Sequence, residues 1–196
     1  MKVIFLDNDG VICLANNWGS RFKKTRAYSN PNPGGERTIP VEYRFDNFDE
    51  TAIKVLNEIL KETGAEIVVS SDWRHHATLE ELGEYYLSQG IIKAPIAVTS
   101  VTSDIDSELW KILRHRADLE LERSIEILDW LDKHPEVTNW VAVDDLNMSV
   151  KYLSDRFTHK DGLDKKPGLK NFVHTVKSFE GIKQSGIKEK IIKYLI

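Results

Sequence analysis

Paired polar side chains follow three apolar runs of this sequence, at positions where they could bind a metal ion. The pairs are Asp7 and Asp9, Ser70 and Ser71, and Asp144 and Asp145. Carboxylates that gather at one place repel one another unless a cation neutralises them. Oxygen ligands without Cys or His at metal-ligand spacing favour magnesium over zinc. Because protein-bound magnesium usually keeps positions for water and phosphate, the pattern predicts phosphoryl chemistry.

These residues have two other interpretations. Asp and Ser at strand ends often cap the next helix or form a turn, and this applies to each pair taken alone. The segment Asp7-Asn8-Asp9-Gly10 could also open a calcium-binding loop. Such a loop needs a carboxylate at its twelfth position, and counting from Asp7 that position is Trp18, which argues against calcium.

The apolar runs predict the strands that must carry these residues. Residues 3–6 form a continuous apolar run, typical of a strand buried on both faces of a parallel sheet. Apolar runs and helical periodicity then alternate, which predicts a doubly wound, Rossmann-like α/β fold with helices on both faces of a parallel sheet. The predicted strands are 3–6, 66–70, 96–99, 140–143 and 156–158, and the predicted helices are 48–63, 77–89, 105–134 and 187–195. In such folds the ligand site lies outside the carboxyl ends of the strands.

Residues 13–46 interrupt this alternation and are rich in Asn, Pro, Gly and Arg, with the sequence NPNPGG at 30–35. A connection of this length in a compact domain is usually functional or disordered. It is also shorter than most folded domains, which begin near ~50 residues. We therefore expect one domain over residues 1–196, with 13–46 as a small cap or a loop insertion.

The composition argues against a membrane span and a disulfide framework. The 196 residues are 41% hydrophobic and 30% charged, and no apolar run approaches the ~20 residues that span a bilayer. The single cysteine, Cys13, cannot form an intramolecular disulfide and fits a reducing compartment. We expect a cytoplasmic protein that does not bind membranes.

Basic residues concentrate toward both ends of the chain, although the net charge is only −4. Residues 13–45 contain six Lys and Arg against two acids, and residues 151–196 contain eleven against five. Basic segments around an acidic middle can attract a polyanion locally. Either segment could equally be a solvated surface.

Four motifs, in order, resemble those of phosphatases of the haloacid dehalogenase (HAD) superfamily. They are FLDNDGV at 5–11, IVVS at 67–70, Arg123, and VAVDD at 141–145. More narrowly, the chain is similar to the HAD domain of Swiss-army-knife RNA repair proteins. This similarity rests on TGAEIVVSSDWR at 63–74, RSIEILDWL at 123–131, WVAVDD at 140–145 and RFTHKDGL at 156–163. The resemblance covers most of residues 1–165.

The resemblance implies a role for each motif residue. Asp7 would attack phosphorus and become an aspartyl phosphate, and Asp9 would act as the general acid and base. Gly10 would allow a tight turn and a close approach to the substrate. Ser70, or Ser71 if the motif is shifted by one residue, would hydrogen-bond a phosphoryl oxygen.

The third motif and the metal ligands follow from the same resemblance. Arg123, before a helix, would balance the charge of the nucleophile and of the phosphoryl group, with Arg114 and Arg116 as alternatives. The implied cofactor is Mg²⁺. Its implied ligands are Asp7, the backbone carbonyl of Asp9, Asp144 and, through water or as a partner of a ligand, Asp145.

Substrate-binding residues are expected on the insertion and after the second strand. The sequence RFKKTR at 21–26 combines cations with an aromatic ring, a composition that binds a nucleic-acid backbone and stacks a base. We therefore expect substrate contacts by Arg21, Lys23 and Lys24. Arg74 could contribute in the same way, although an isolated Trp-Arg pair is more often a core tryptophan, here Trp73, followed by a surface arginine in a salt bridge.

The leading hypothesis is a magnesium-dependent phosphomonoester hydrolase that acts on an RNA or DNA end, with a terminal 3'-phosphate as its substrate. A second hypothesis keeps the chemistry but makes the substrate a nucleotide or a sugar phosphate. A third is a non-catalytic module that binds phosphate. The presence of both Asp7 and Asp9 favours an enzyme, because superfamily members without the second acid are typically not phosphatases.

Overall fold

A parallel β-sheet forms the centre of the molecule. The computed structural model describes residues 1–28, 39–106, 110–111, 114–115, 117–157 and 168–196. Within these ranges the sheet has five strands: β1 Lys2–Leu6, β2 Glu66–Val69, β3 Ala97–Val98, β4 Asn139–Asp144 and β5 Phe172–His174. Their spatial order is β3-β2-β1-β4-β5, and every neighbouring pair is parallel. The sheet places β1 at the centre, between β2 and β4.

Helices cover both faces of the sheet. Their bounds are α1 Ser20–Ala27, α2 Val41–Arg44, α3 Glu50–Thr63, α4 Leu79–Ser88, α5 Leu119–Asp132, α6 Val150–Phe157 and α7 Ile187–Leu195. One core cluster joins Ile4 and Leu6 of β1 to α3, α4 and α7, and the other joins Val3 and Phe5 to α5 and α6. Alternate side chains of β1 therefore enter different cores, which explains its unbroken apolar sequence. Among the described helices, none has the length and apolar character needed to cross a membrane.

Local sequence signals fix the ends of the helices next to the sheet. The Asp49 carboxylate accepts hydrogen bonds from the backbone N–H groups of Thr51 and Ala52 and so caps the start of α3. Gly64 ends that helix with a positive φ of 70°, a conformation that suits glycine. Thr78 and Glu81 form a reciprocal capping box at the start of α4.

The predicted doubly wound α/β fold is confirmed, but one predicted strand is wrong. The expected strand at 156–158 is not formed by its described part, because Arg156 and Phe157 end α6. The buried side chains of Leu153 and Phe157 lie four residues apart, which is helical spacing. Residue 158 lies outside the described residues. The fifth strand is instead 172–174, too short to give a clear period in the sequence.

The helical region expected over 105–134 is interrupted: residues 110 and 111 are helical, but the long helix of this region starts later. The helix α5 begins only at Leu119, where the Asp118 carboxylate accepts a hydrogen bond from the Leu121 N–H and caps it. Before that point, Thr102–Asp104 forms a turn of 3-10 helix. Parts of the intervening stretch, 107–109, 112–113 and 116, lie outside the described residues.

The insertion at 13–46 contains regular structure that its composition did not predict. The helix α1 begins next to Asp46, whose carboxylate accepts hydrogen bonds from the N–H groups of Gly19 and Arg21 and from the Ser20 hydroxyl. The four-residue helix α2 follows before the chain returns to the core through buried Phe45. A distant acid thus caps α1, so no local cap signal precedes it in the sequence.

Candidate functional site

Three carboxylates meet at the carboxyl ends of β1 and β4. Asp7 directly follows β1, Asp144 ends β4, and Asp145 comes next. Each offers an oxygen, and these three oxygens lie within 4.8 Å of one another. The two strands are neighbours in register, and the Asp7 N–H donates a 3.1 Å hydrogen bond to the Val143 carbonyl. The prediction that these acids converge at one sheet edge therefore agrees with the geometry.

Burial makes this group of carboxylates hold protons unusually tightly. Desolvation and the nearby Asp144 charge raise the pKa of Asp7 well above its ordinary value. Desolvation also raises the pKa of Asp144 to about 6, against the opposing effect of Arg123, and it raises the pKa of Asp145. A cation bound between these carboxylates would lower their pKa values again. Three hard oxygen donors this close together suit Mg²⁺, so the residues present fit the implied cofactor.

Arg123 reaches into this group from α5. One guanidinium nitrogen lies 3.2 Å from an Asp7 oxygen and 3.1 Å from an Asp144 oxygen, and the other donates a 2.8 Å hydrogen bond to Asp72. Arg123 lies within α5, and its side chain is buried. The motif comparison had instead placed it before a helix. Of the two alternatives, Arg114 is exposed and Arg116 lies outside the described residues. The geometry thus favours Arg123 as the charge-balancing residue.

Asp9 is held by a different partner. The Trp73 indole N–H donates a 2.8 Å hydrogen bond to an Asp9 carboxylate oxygen. Burial raises the pKa of Asp9, and the Trp73 hydrogen bond opposes this rise. The indole is itself buried and stacks on Phe45 and Phe48, with ring centroids 4.3 Å and 5.4 Å apart. Trp73 is therefore a core residue, as one interpretation of the sequence had it, but it also contacts the site.

Gly10 is required by the shape of the turn after β1. Its φ is +69°, in the left-handed region that side chains rarely adopt. A Cβ at this position would also overlap the Asp145 carboxylate. The Gly10 carbonyl accepts a 3.2 Å hydrogen bond from the Thr175 hydroxyl, which links the turn to the residue after β5. The glycine thus lets the backbone pass close beside a metal-ligand candidate.

Two buried hydroxyl groups have no hydrogen-bond partner among the described residues. They belong to Ser70 and Ser71, at the end of β2. Ser71 lies near enough to Asp7 to oppose the rise in its pKa that burial causes, although the two groups do not align as a hydrogen bond. Buried polar atoms are nearly always satisfied in folded proteins. The Ser70 hydroxyl is therefore available to a ligand, and the Ser71 hydroxyl lies beside Asp7.

The four cations expected to contact substrate differ in their surroundings. Arg74 forms a 2.6 Å ion pair with Glu126, and the two side chains are only 5% and 6% exposed, so this arginine already has a buried partner. Lys24 donates hydrogen bonds to the Asn47 side chain and, at 3.3 Å, to the Tyr85 hydroxyl. Arg21 and Lys23 are exposed. Substrate contacts by these residues stay predictions.

Sequence reasoning missed the contact between Asp9 and Trp73 and the ion pair between Arg74 and Glu126. These partners are separated by 64 and 52 residues, so no local spacing indicates them. A Trp-Arg pair directly after a strand that ends in Ser70 was the available signal. It indicated proximity to the site without indicating which groups the two side chains contact.

Comparison with protein-family models matches residues 3–174 to the family described as the HAD domain in Swiss Army Knife RNA repair proteins. The match begins inside β1 and ends with β5, and thus includes the three carboxylates, Arg123 and both serines. It confirms the resemblance found in the motifs. Searches of curated proteins and of solved structures found no match.

Proposed function

Since the chain belongs to the family of HAD domains found in Swiss Army Knife RNA repair proteins, we propose that it is a magnesium-dependent phosphatase that removes a terminal 3'-phosphate from a nucleic-acid end. Family membership by itself suggests a HAD-type phosphatase. One observation carries the proposed chemistry: two buried carboxylates and a half-buried third meet beside Arg123, close to Asp9, which Trp73 holds.

The metal would be held by Asp7, Asp144 and Asp145, together with the backbone carbonyl of Asp9. When bound, Mg²⁺ supplies positive charge that stabilises the transferring phosphoryl group. Arg123 contributes a fixed positive charge on the same side, because its guanidinium already contacts Asp7 and Asp144. The Ser70 and Ser71 hydroxyls have free hydrogen-bonding capacity among the described residues and would donate to phosphoryl oxygens.

The reaction would proceed in two steps that use Asp7 and Asp9 differently. An Asp7 oxygen attacks phosphorus, the bond from phosphorus to the ester oxygen breaks, and Asp9 gives its proton to the departing alcohol. Asp9 then takes a proton from water, which attacks the aspartyl phosphate and releases inorganic phosphate. The first step needs Asp9 protonated, and burial raises its pKa in that direction.

The test is phosphate release from a panel of substrates in the presence of MgCl₂. The panel comprises 3'-phosphorylated and 5'-phosphorylated RNA and DNA oligonucleotides, mononucleotides, sugar phosphates and a chromogenic phosphomonoester. We expect the 3'-phosphorylated ends to give the highest kcat/KM, and EDTA to abolish turnover. Asp7→Asn should remove activity, whereas Asp106→Asn, the same change at an exposed carboxylate, should not.

Each competing hypothesis has its own outcome in this assay. Equal or better turnover of mononucleotides or sugar phosphates would show that the substrate is a small phosphomonoester and not a nucleic-acid end. Absence of magnesium-dependent hydrolysis with every substrate, combined with phosphate binding that Asp7→Asn alters, would indicate a non-catalytic module. Salt offers an independent check, because backbone contacts make the activity on oligonucleotides fall more steeply with added salt than the activity on the chromogenic phosphate.

A further inference from the structure

Two exposed aromatic side chains lie on the insertion next to the candidate site. Trp18 is 50% exposed and Phe22 is 61% exposed. Trp18 lines a cavity of about 230 Å³ together with Asp9, and Phe22 lines a second cavity of about 360 Å³ that also reaches Asp9. Both cavities share Arg21 and Trp73. Large apolar rings at the entrance to a polar site usually mark a binding surface.

A hydrogen bond holds the Trp18 ring, and Asp46 anchors the start of the helix that carries Phe22. The Trp18 indole N–H donates a 3.3 Å hydrogen bond to the Cys13 carbonyl, which orients the ring beside the start of α1. The guanidinium carbon of Arg21 lies 5.1 Å from the centre of the Phe22 ring. Asp46 fixes the first turn of α1 through the N–H of Gly19 and of Arg21. The Trp18 ring and the backbone of α1 are therefore preorganised.

Carboxylates also line these cavities, but some of their oxygens already accept hydrogen bonds, which reduces their repulsion of a bound anion. Both Asp46 oxygens accept hydrogen bonds from the first turn of α1, and one Asp72 oxygen accepts a hydrogen bond from Arg123. The exposed cations Arg21, Lys23 and Arg26 lie on the same helix as Phe22. This combination of aromatic faces and cations complements a nucleotide, because the planar base can stack and the phosphate backbone is negatively charged.

We propose that Trp18, Arg21 and Phe22 form a stacking subsite for the unpaired base of the nucleotide that carries the scissile phosphate. The inference rests on the proposed function, since it places the phosphate at Asp7 and the base at the cavities that open from Asp9. Every base has a face that can stack, so the subsite accepts all four bases with similar affinity. It favours an unpaired base, because a base paired at a duplex end has only one free face and cannot turn away from its partner and its stacked neighbour.

The test measures binding in the Asp7→Asn background, where turnover does not interfere. A fluorescent, 3'-phosphorylated oligonucleotide is compared with the same strand carrying an abasic terminal nucleotide, in MgCl₂, by fluorescence anisotropy. We expect the abasic strand to bind about 5- to 150-fold more weakly, the range that corresponds to stacking of one base. Trp18→Ala and Phe22→Ala should weaken binding of the normal strand and leave binding of the abasic strand nearly unchanged.

Phe179→Ala is the matched control, because Phe179 is 63% exposed but lines neither cavity. Trp18→Phe should restore most of the discrimination, because it keeps an aromatic face. Equal affinity for the two strands, or equal weakening of both strands by Trp18→Ala and Phe22→Ala, would overturn the proposal. If the wild-type protein binds the abasic strand more weakly but releases no phosphate, the result contradicts the proposed hydrolase activity and supports the proposed subsite. Comparison with a free 3'-mononucleotide shows whether the rest of the strand adds affinity.

Discussion

Replacing Arg123 by methionine would remove the cation that lies between two buried carboxylates. The guanidinium is 3.2 Å from Asp7 and 3.1 Å from Asp144, and all three side chains are buried. Removing one partner of a buried ion pair costs about 3–5 kcal/mol, because the remaining charge loses its compensation. We expect Arg123→Met to lower the free energy of unfolding of the metal-free protein by about 3 kcal/mol at pH 7.

The expected loss of stability lies at the lower end of the range of about 3–5 kcal/mol because the carboxylates can take up protons. The pKa of Asp144 is already about 6 because burial outweighs the attraction of Arg123. Without the arginine, this pKa rises further, and Asp144 takes up a proton near neutral pH instead of remaining a charged, unpaired group. Proton uptake limits the loss of stability. The same reasoning makes the loss larger at pH 8 than at pH 6.

A double-mutant cycle with Asp7→Asn isolates the interaction. Asp7→Asn leaves one buried charge fewer for Arg123 to compensate, so Arg123→Met should cost about 1–3 kcal/mol less in that background. The assay is urea unfolding in EDTA of the wild type, both single variants and the double variant. Arg156→Met is the control, because Arg156 forms its ion pair with Asp118 at the surface, where such pairs contribute about 0.2–1 kcal/mol.

Two results would refute this account. One is a loss below about 1 kcal/mol for Arg123→Met, which is the cost expected of a surface pair. The other is additivity in the cycle, which would mean that Arg123 and Asp7 do not share an electrostatic interaction in solution. Magnesium provides a further comparison, because bound metal takes over part of the compensation and should reduce the effect of Arg123→Met.

Two further predictions concern the pH dependence of stability and the hydrogen bond between Trp73 and Asp9. Since burial raises the pKa of Asp7 and raises that of Asp144 to about 6, the metal-free folded state binds more protons than the unfolded state between about pH 4 and 6. Stability in EDTA should therefore increase as the pH falls from 7 to 5, and urea unfolding of Asp144→Asn should lack much of this slope; equal slopes would contradict the shift. Trp73→Phe keeps an aromatic ring but removes the hydrogen bond to Asp9, so kcat should fall about tenfold or more with little change in KM. Trp140→Phe, on the opposite face of the sheet, is the control in the phosphatase assay, and an unchanged kcat for Trp73→Phe would refute a positioning role.

The sequence was most informative where chemistry coincides with strand ends. Parallel neighbouring strands bring their carboxyl ends to one edge, so Asp7, Ser70 and Asp144 could be placed together without knowledge of side-chain contacts. The strands β1, β2 and β4 can be recognised from their continuous apolar runs. The strand β5 has three residues and only one buried side chain, Val173, and a segment this short carries no usable period.

Interactions between distant segments account for the features that sequence reasoning missed. The helix α1 depends on Asp46 to satisfy its first N–H groups, although Asp46 lies 25 residues after Arg21. Arg123 contacts Asp144 across 21 residues because its long side chain extends from α5 to the sheet edge. The motifs pointed to Arg123, but only packing determines which side chains its guanidinium reaches.

One aromatic cluster connects the insertion to the acid that is proposed to move protons. Phe45 ends the insertion and stacks on Trp73, whose N–H holds Asp9. The Tyr85 ring packs edge-on against Phe45, and its hydroxyl donates a 2.9 Å hydrogen bond to the Asp46 carbonyl. The Asp46 side chain in turn fixes the start of α1. Because these groups pack against one another, the proposed base subsite on α1 and Asp9 are joined by a continuous set of contacts. In the proposed reaction, this packing would hold the leaving oxygen at Asp9.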